Sequence, residues 1–163
     1  MGSGKSTLGK RLATKLGFPF IDMDKEIEAS INMSIAEYFS KHGEAAFREI
    51  EHSILKSNNF PENAIIATGG GAPCFFDNID WMNKNGVTIY LSLSPKALAQ
   101  RLVNATEERP VLKNLKGPEL EQFIAEKLKA REIFYKQAKI SINGIDQTPE
   151  KLATILKREN YLK

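Results

Sequence analysis

The chain has 163 residues, 42% of them hydrophobic, and its 23 lysines and arginines against 20 acids give a net charge of +3. This length suits one domain with a single core, and so small a positive excess does not indicate a nucleic-acid partner. A single cysteine excludes an internal disulfide, and the lack of a signal peptide or of any apolar run near the roughly 18–20 residues of a membrane span predicts a cytoplasmic protein without a membrane partner.

The amino-terminal stretch MGSGKSTLGKRLATKLG has the pattern of a phosphate-binding loop followed by a helix, which begins near Ser6 and which Gly17 is placed to end. Glycines let backbone N–H groups turn toward an anion, and the helix amino terminus adds about half a positive charge. Lys5 supplies a point charge for the β and γ phosphates of ATP, and the Ser6 hydroxyl suits Mg²⁺. We therefore expect this loop to hold ATP through Gly2, Ser3, Gly4, Lys5, Ser6 and Thr7.

Loops of this kind normally follow a buried strand and carry a further, leading glycine. Only Met1 precedes Gly2 in this sequence, so it contains neither feature. Five or so buried apolar side chains at about 1.5–3 kcal/mol each would contribute roughly 8–15 kcal/mol, about the whole net stability of a domain. We expect an apolar first strand, central to the sheet and ending in glycine, upstream of Met1.

The stretch FPFID, from Phe18 to Asp22, predicts a short buried strand whose carboxyl end delivers Asp22 and Asp24. Side chains two positions apart on a strand share a direction, so both carboxylates would lie on one side of the strand end. One can help to hold Mg²⁺ through water while the other accepts a hydrogen bond from a substrate hydroxyl. Helix capping is the alternative interpretation, since Asp24 can cap the next helix.

A capping box at Ser34 predicts another helix start, and Gly43 interrupts the chain before a helix over Glu44–Lys56. Arg48 and Glu51 share one face of that helix. Such a pair is usually a surface ion pair that contributes a few tenths of a kcal/mol, and nothing local to the helix separates that interpretation from a functional one.

The rest of the chain continues to alternate between strand and helix. Strands are predicted over Asn63–Thr68, Val87–Leu93 and Lys139–Asn143, and helices over Asp77–Asn85, from Ser94, over Glu119–Lys136 and from Thr148. The first of these strands runs directly into Gly69, Gly70 and Gly71. The polar stretch Asn104–Gly117, which contains Arg109, is long enough to be a mobile flap.

Apolar strands separated by helices predict βα units, and therefore an α/β fold with a parallel sheet covered on both faces. Ligands of such sheets bind at the carboxyl ends of the strands. The two aspartates and the glycine triplet fall at that edge.

The order of motifs GSGKST, DxD, FRxxE, TGGG, an Arg-Pro pair in the polar stretch and an arginine on the following helix resembles the shikimate kinase family. The resemblance covers essentially the whole chain, without the first strand and the leading glycine. It implies a single P-loop kinase domain over residues 1–163 with three layers, a substrate-binding helical segment at about residues 24–56 and a flap at about residues 104–117. It also implies a monomer that transfers the γ-phosphate of ATP to the 3-hydroxyl of shikimate, in the biosynthesis of chorismate and aromatic amino acids.

The resemblance also assigns roles to individual residues. It implies that Lys5, Asp24 and Arg109 are catalytic, with Asp24 as the base and Arg109 closing onto the phosphates. It implies that Ser6 and Asp22 hold Mg²⁺, the latter through water. The remaining substrate contacts would come from Arg48, Gly69, Gly70, Gly71 and Arg131, and the remaining nucleotide contacts, near the adenine, from Arg101 and Gln147.

Two other functions stay open at this point. Another small P-loop kinase would act on gluconate or a nucleoside monophosphate, although two arginines beside a TGGG turn favour a small carboxylate-bearing polyol. A chain that truly starts at Met1 would be a non-catalytic nucleotide-binding module, which would bind ATP without turnover.

Overall fold

The computed structural model of the protein describes residues 2–57, 60–103, 115–143 and 147–162. Helices in the described residues are α1 (Lys5–Leu16), α2 (Met23–Ile31), α3 (Ile35–Ser57), α4 (Asn78–Asn85), α5 (Pro95–Val103), α6 (Gly117–Tyr135) and α7 (Pro149–Arg158). The strands are β1 (Phe20–Asp22), β2 (Ile65–Ala67), β3 (Ile89–Ser92) and β4 (Ile140–Asn143), and a 3₁₀ turn covers Ala72–Cys74. The predicted α/β class is confirmed.

The helix boundaries follow local chemistry. Gly17 ends α1 in the left-handed conformation, and the capping box before α3 forms as predicted, with Ser34 and Glu37 bonding each other's backbone N–H. The Glu37 carboxyl has a lowered pKa, chiefly because the Ser34 side chain hydrogen-bonds to it. Gly43 interrupts α3 at φ 80° and ψ 175°, where the predicted break lies.

Several predicted boundaries are wrong by a few residues. β1 begins at Phe20 instead of Phe18, and α2 begins directly after Asp22, so Asp24 lies in the first helical turn and Asp22 is the N-cap. α6 begins at Gly117 because Pro118 suits a first turn, so the predicted flap overlaps a helix at that residue. Most of the flap, residues 104–114, lies outside the described residues.

The strands form two parallel pairs instead of the one sheet that the sequence predicts. β1 pairs with β2, and β3 pairs with β4, but no described strand joins β2 to β3. A cavity of about 840 Å³, lined by residues of both β2 and β3, lies where the ladder is interrupted. Every residue of β3, most of which line this cavity, is only half-buried, whereas a parallel sheet covered on both faces would bury them.

Two groups of apolar side chains form the core. One joins α1, β4 and α7 through Leu12, Ile142 and Leu152, and the other joins α5 to α6 through Leu98 and Ile124. These contacts fix α1 and α5, the two helices that hold the phosphate-binding loop. None of the described helices is long and apolar enough to cross a membrane.

Candidate active site

The predicted phosphate-binding loop closes directly onto the start of α1. Gly2 and Gly4 adopt left-handed backbone conformations, with φ 63° and 86°, which only glycine takes readily. Gly4 is the N-cap of α1 and has no side chain to occupy the helix end. This is the geometry of a helix start that suits a phosphate, because the helix amino terminus carries a partial positive charge.

Helix α5 holds this loop from outside. The Arg101 guanidinium donates a hydrogen bond of 3.0 Å from Nη1 to the Ser3 carbonyl, and Ser3 is buried. The Leu102 side chain packs under Gly2 so closely that a Cβ there would lie 3.0 Å from Leu102 Cγ. Arg101 therefore tethers the backbone of the phosphate-binding loop, a structural role that the sequence did not predict.

Ser6 and Asp22, the predicted magnesium ligands, lie in direct contact. Ser6 Oγ donates to Asp22 Oδ2 at 3.0 Å, and the Asp24 N–H donates to Asp22 Oδ1 at 3.2 Å. The DxD motif therefore spans a strand end and a helix start, and the prediction that both carboxylates extend from one strand is wrong. Asp22 is the N-cap of α2 and holds Asp24 close to itself.

The glycine triplet leaves room for three charged side chains. A Cβ on Gly69 would lie 3.0 Å from Glu51 Oε1 and 3.3 Å from Asp24 Oδ1, so both carboxylates border this residue. A Cβ on Gly71 would lie only 2.5 Å from Arg48 Nη2. The Arg48 guanidinium therefore lies against the backbone of Gly71, which no larger residue would permit.

Arg48 and Glu51 form a buried pair, so the surface interpretation of this motif is wrong. Arg48 Nη1 donates to Glu51 Oε2 at 2.7 Å, Arg48 Nη2 donates to Glu44 Oε1 at 3.0 Å, and the Glu51 side chain is 2% exposed. Burial raises the pKa of the Glu51 carboxyl, although the hydrogen bond from Arg48 acts in the opposite sense. The pair fixes the guanidinium in one orientation.

Aromatic rings enclose the same guanidinium. Arg48 Cζ lies 4.5 Å from the ring centre of Phe75, 5.1 Å from that of Phe47 and 5.9 Å from that of Phe39. Rings at these distances attract a cation and exclude water, which strengthens its hydrogen bonds to an anion. The sequence analysis missed Phe75 and Phe39, since neither is close to Arg48 along the chain.

Arg131 and Tyr135 approach the triplet from α6. Tyr135 Oη donates a hydrogen bond of 2.6 Å to the Gly70 carbonyl, and burial raises the pKa of its phenol while the nearby Arg131 lowers it. Cys74 lies beneath this turn, and burial raises the pKa of its thiol, again against the effect of Arg131. Sequence reasoning missed Tyr135, although its place one helical turn after Arg131 was a usable signal.

Asn78 supports the far end of the glycine turn. Its side chain is fully buried, donates from Nδ2 to the Ala72 carbonyl at 2.8 Å, and has Oδ1 2.6 Å from His52 Nδ1, which makes the imidazole the donor. His52 and Asn78 therefore connect α3 and α4 beneath the turn. No pattern in the sequence indicated this contact, because the two residues are distant along the chain.

Two predicted nucleotide contacts stay predictions. Arg109 lies outside the described residues. Gln147 is half-buried, and its Nε2 donates to the Ser92 carbonyl at 3.5 Å, at the carboxyl end of β3. Its predicted contact with adenine stays a prediction.

The described residues connect an anion-binding loop to a cluster of acids and arginines. Ser6 of the loop hydrogen-bonds to Asp22, Asp22 accepts from the Asp24 N–H, and the Asp24 carboxylate borders Gly69. The next two glycines contact Tyr135 and Arg48, respectively. Such a site can bind a phosphate chain at one end and a small hydroxylated carboxylate at the other.

The chain is similar to proteins of one family throughout. It matches the family model described as shikimate kinase over residues 1–159. A shikimate kinase of Bacteroides fragilis is 49% identical over 138 residues, which are 85% of this chain and 77% of that protein. One of Parabacteroides distasonis is 48% identical over 144 residues, which are 88% of this chain and 83% of that protein.

Solved structures agree. The crystal structure of shikimate kinase from Bacteroides thetaiotaomicron has a TM-score of 0.89 and 41% identity, covering 99% of this chain and 94% of that one. A shikimate kinase from Acinetobacter baumannii in complex with shikimate has a TM-score of 0.84 and 32% identity, covering 100% of this chain and 91% of that one. With a family match over nearly all of its length and relatives close to half identical, the chain belongs to the shikimate kinase family.

Proposed function

We propose that this protein transfers the γ-phosphate of ATP to the 3-hydroxyl of shikimate. The observation that carries the proposal is the buried Arg48 guanidinium, which Glu51 orients and which lies against Gly71. Asp24 and Asp22 lie between this guanidinium and the phosphate-binding loop. A fixed, planar guanidinium suits a carboxylate better than an ammonium would. Shikimate carries one carboxylate and three hydroxyls on one ring.

In the proposed reaction the ring 3-hydroxyl oxygen attacks the γ-phosphorus, the bond from that phosphorus to the bridging oxygen breaks, and ADP leaves. Asp24 takes the proton of the attacking hydroxyl. Lys5 and the N–H groups at the start of α1 hold the β and γ phosphates, where charge redistributes in the transition state. Because phosphoryl transfer depends mainly on positioning and charge, these groups act by holding the reactants in place and by stabilising the phosphate charge.

Ser6 and Asp22 fit a magnesium site shared with the nucleotide. Their hydroxyl and carboxylate oxygens are adjacent, and the described residues offer no cluster of three or more His, Cys, Asp or Glu side chains that could hold a metal alone. Mg²⁺ is typically held by one or two carboxylates together with substrate phosphates and waters. When bound there, it would neutralise charge on the phosphates.

Arg48 and Arg131 would bind a group that does not react, so their binding energy goes into orienting the ring. Gly70 would present its N–H to the substrate. The assignments of Arg109 to the phosphates, and of Arg101 and Gln147 to the adenine side, rest on the family resemblance. The proposals that the protein is a monomer and that it is located in the cytoplasm rest on the same resemblance.

A coupled assay of ADP release with shikimate, gluconate and a nucleoside monophosphate tests the proposal. We expect release with shikimate alone. Release with gluconate or the nucleotide instead would establish a different small-molecule kinase, and binding of ATP without release on any acceptor would establish a nucleotide-binding module.

A further inference from the structure

Glu44 holds one edge of the Arg48 guanidinium, the group that would bind the substrate carboxylate. Its Oε1 accepts hydrogen bonds from Arg48 Nη2 at 3.0 Å and from Arg48 Nε at 3.3 Å, while Glu51 Oε2 accepts from Nη1 at 2.7 Å. All three nitrogens of the guanidinium therefore donate to a carboxyl group of the protein itself. A guanidinium binds a carboxylate most strongly through two donors on one edge, and Nε and Nη2 form such an edge.

The hydrogen bonds to Glu44 use this edge incompletely. Both donors go to the single oxygen Oε1, so the two hydrogen bonds share one acceptor. A carboxylate that places one oxygen opposite each nitrogen makes two parallel hydrogen bonds, which is the stronger arrangement. A substrate carboxylate can therefore offer this edge of Arg48 more than Glu44 does.

The two glutamates differ in how easily they can release Arg48. The Glu51 side chain is 2% exposed, and a buried carboxyl group that loses its partner is strongly destabilising. The Glu44 side chain is 56% exposed and follows the helix break at Gly43, so water can hydrate its carboxylate when the bond to Arg48 opens. An ion pair that is open to solvent contributes little, and its loss costs correspondingly little.

Glu44 and a substrate carboxylate cannot share this edge. The N–H donors of a guanidinium lie in its plane, so both carboxylates would meet at the same two nitrogens. Two negative charges at hydrogen-bonding distance from the same donors repel each other, and more strongly in a site that excludes water. One of the two therefore leaves, and Glu44 is the group that water can accommodate.

We propose that Glu44 competes with the substrate carboxylate for the Nε–Nη2 edge of Arg48 and thereby limits the affinity for shikimate, an inference that rests on the proposed function. When shikimate binds, Glu44 turns to solvent, and Glu51 keeps the guanidinium oriented. A ring without a carboxylate has no group with which to displace Glu44. Glu44 is therefore a specificity-determining residue, because it makes binding depend on a group that can take its place.

The test is Glu44→Gln, which keeps the shape of the side chain and removes its charge. The matched control is Glu49→Gln, because Glu49 is an exposed glutamate of the same helix and its replacement changes the net charge equally. Calorimetry gives the Kd of shikimate and of its methyl ester, which lacks the charged carboxylate. Rates of ADP release give kcat and both KM values, and thermal melting of the same samples gives Tm.

We expect Glu44→Gln to lower the Kd and the KM for shikimate about two- to fivefold, the range in an equilibrium constant that exposed ion pairs span. The kcat, the KM for ATP and the Kd of the methyl ester should stay unchanged. The Tm should not rise, because the variant loses an ion pair with Arg48. A merely structural role of Glu44 would instead weaken shikimate binding together with stability.

A raised or unchanged Kd for shikimate in Glu44→Gln overturns the proposal, since Glu44 would then orient Arg48 as Glu51 does or have no effect on binding. An equal gain in Glu49→Gln, or an equal gain for the methyl ester, overturns it as well. Turnover of shikimate by the wild type without the expected pattern refutes only this inference. No turnover of shikimate by the wild type refutes the proposed function and this inference with it.

Discussion

The contact between Gly71 and Arg48 allows a test that alters the substrate site without replacing a charged residue. Gly71 has φ −87° and ψ −24°, a conformation that alanine adopts without strain. Gly71→Ala therefore changes the site only through the added methyl group. That carbon would lie 2.5 Å from Arg48 Nη2 and 2.7 Å from both Cζ and Nη1.

The guanidinium would have to withdraw by about 1 Å to restore van der Waals contact. A shift of that size breaks at least one of its bonds to Glu44 and Glu51, at 3.0 and 2.7 Å, and moves it away from the substrate carboxylate. A lost hydrogen bond to a charged group costs about 1.5–3 kcal/mol, which corresponds to roughly a 10- to 150-fold rise in the KM for shikimate. We also expect a loss of about 1–3 kcal/mol in the free energy of unfolding, as for other overpacked sites.

Initial rates of ADP release at varied shikimate, with denaturant melts of the same samples, measure both effects. Gly86→Ala is the matched control, because its Cβ would meet only Met82 O, at 3.8 Å. A folded Gly71→Ala protein with unchanged KM for shikimate would show that Arg48 does not bind the substrate carboxylate.

Three further predictions follow from the same site. Arg48→Ala should raise the KM for shikimate and leave the KM for ATP unchanged, whereas Lys5→Ala should lower kcat about 10²- to 10³-fold. Steady-state kinetics in which both variants lose only kcat would contradict these assigned roles. Tyr135→Phe keeps the ring contact with Tyr90 but removes the hydrogen bond to the Gly70 carbonyl. The KM for shikimate should therefore rise about 3- to 10-fold, which corresponds to a net cost of about 0.5–1.5 kcal/mol. The control Tyr161→Phe, at an exposed position, should leave the KM unchanged. Burial raises the pKa of Glu51 in the folded protein above its ordinary 4.5, so its contribution to stability is complete below that value and is lost as the pH rises through the folded pKa. The Tm of the wild type relative to Glu51→Gln should therefore fall as the pH rises above 4.5, and a constant difference would refute this.

The elements that the sequence predicted well are those whose signal is local. A left-handed glycine ends α1, a reciprocal serine–glutamate box begins α3, and Pro149 follows the capping Thr148 at the start of α7. Each depends on a few adjacent residues, so the pattern and the structure coincide. The phosphate-binding loop belongs to the same class, because its glycines and the helix start are contiguous.

Contacts between distant segments could not be predicted in the same way. An arginine and a glutamate three positions apart look the same on a surface helix and on a buried one, and burial of Arg48 and Glu51 depends on Gly71 and Phe75 arriving from another segment. Tyr135 reaches a carbonyl 65 positions earlier in the chain. The strand periodicity likewise did not show which of the described strands pair with each other.

The interruption of α3 at Gly43 has a consequence for the chemistry around Arg48. Along an unbroken helix, Phe39 and Phe47 would be separated by about 12 Å of axial rise, yet their ring centres are 4.5 Å apart. A Cβ at Gly43 would touch nothing within 4 Å, but its backbone angles belong almost only to glycine. The exposed Gly43 thus brings Phe39 next to Phe47, so a backbone position on the outer surface helps to determine which aromatic rings surround the buried Arg48 guanidinium.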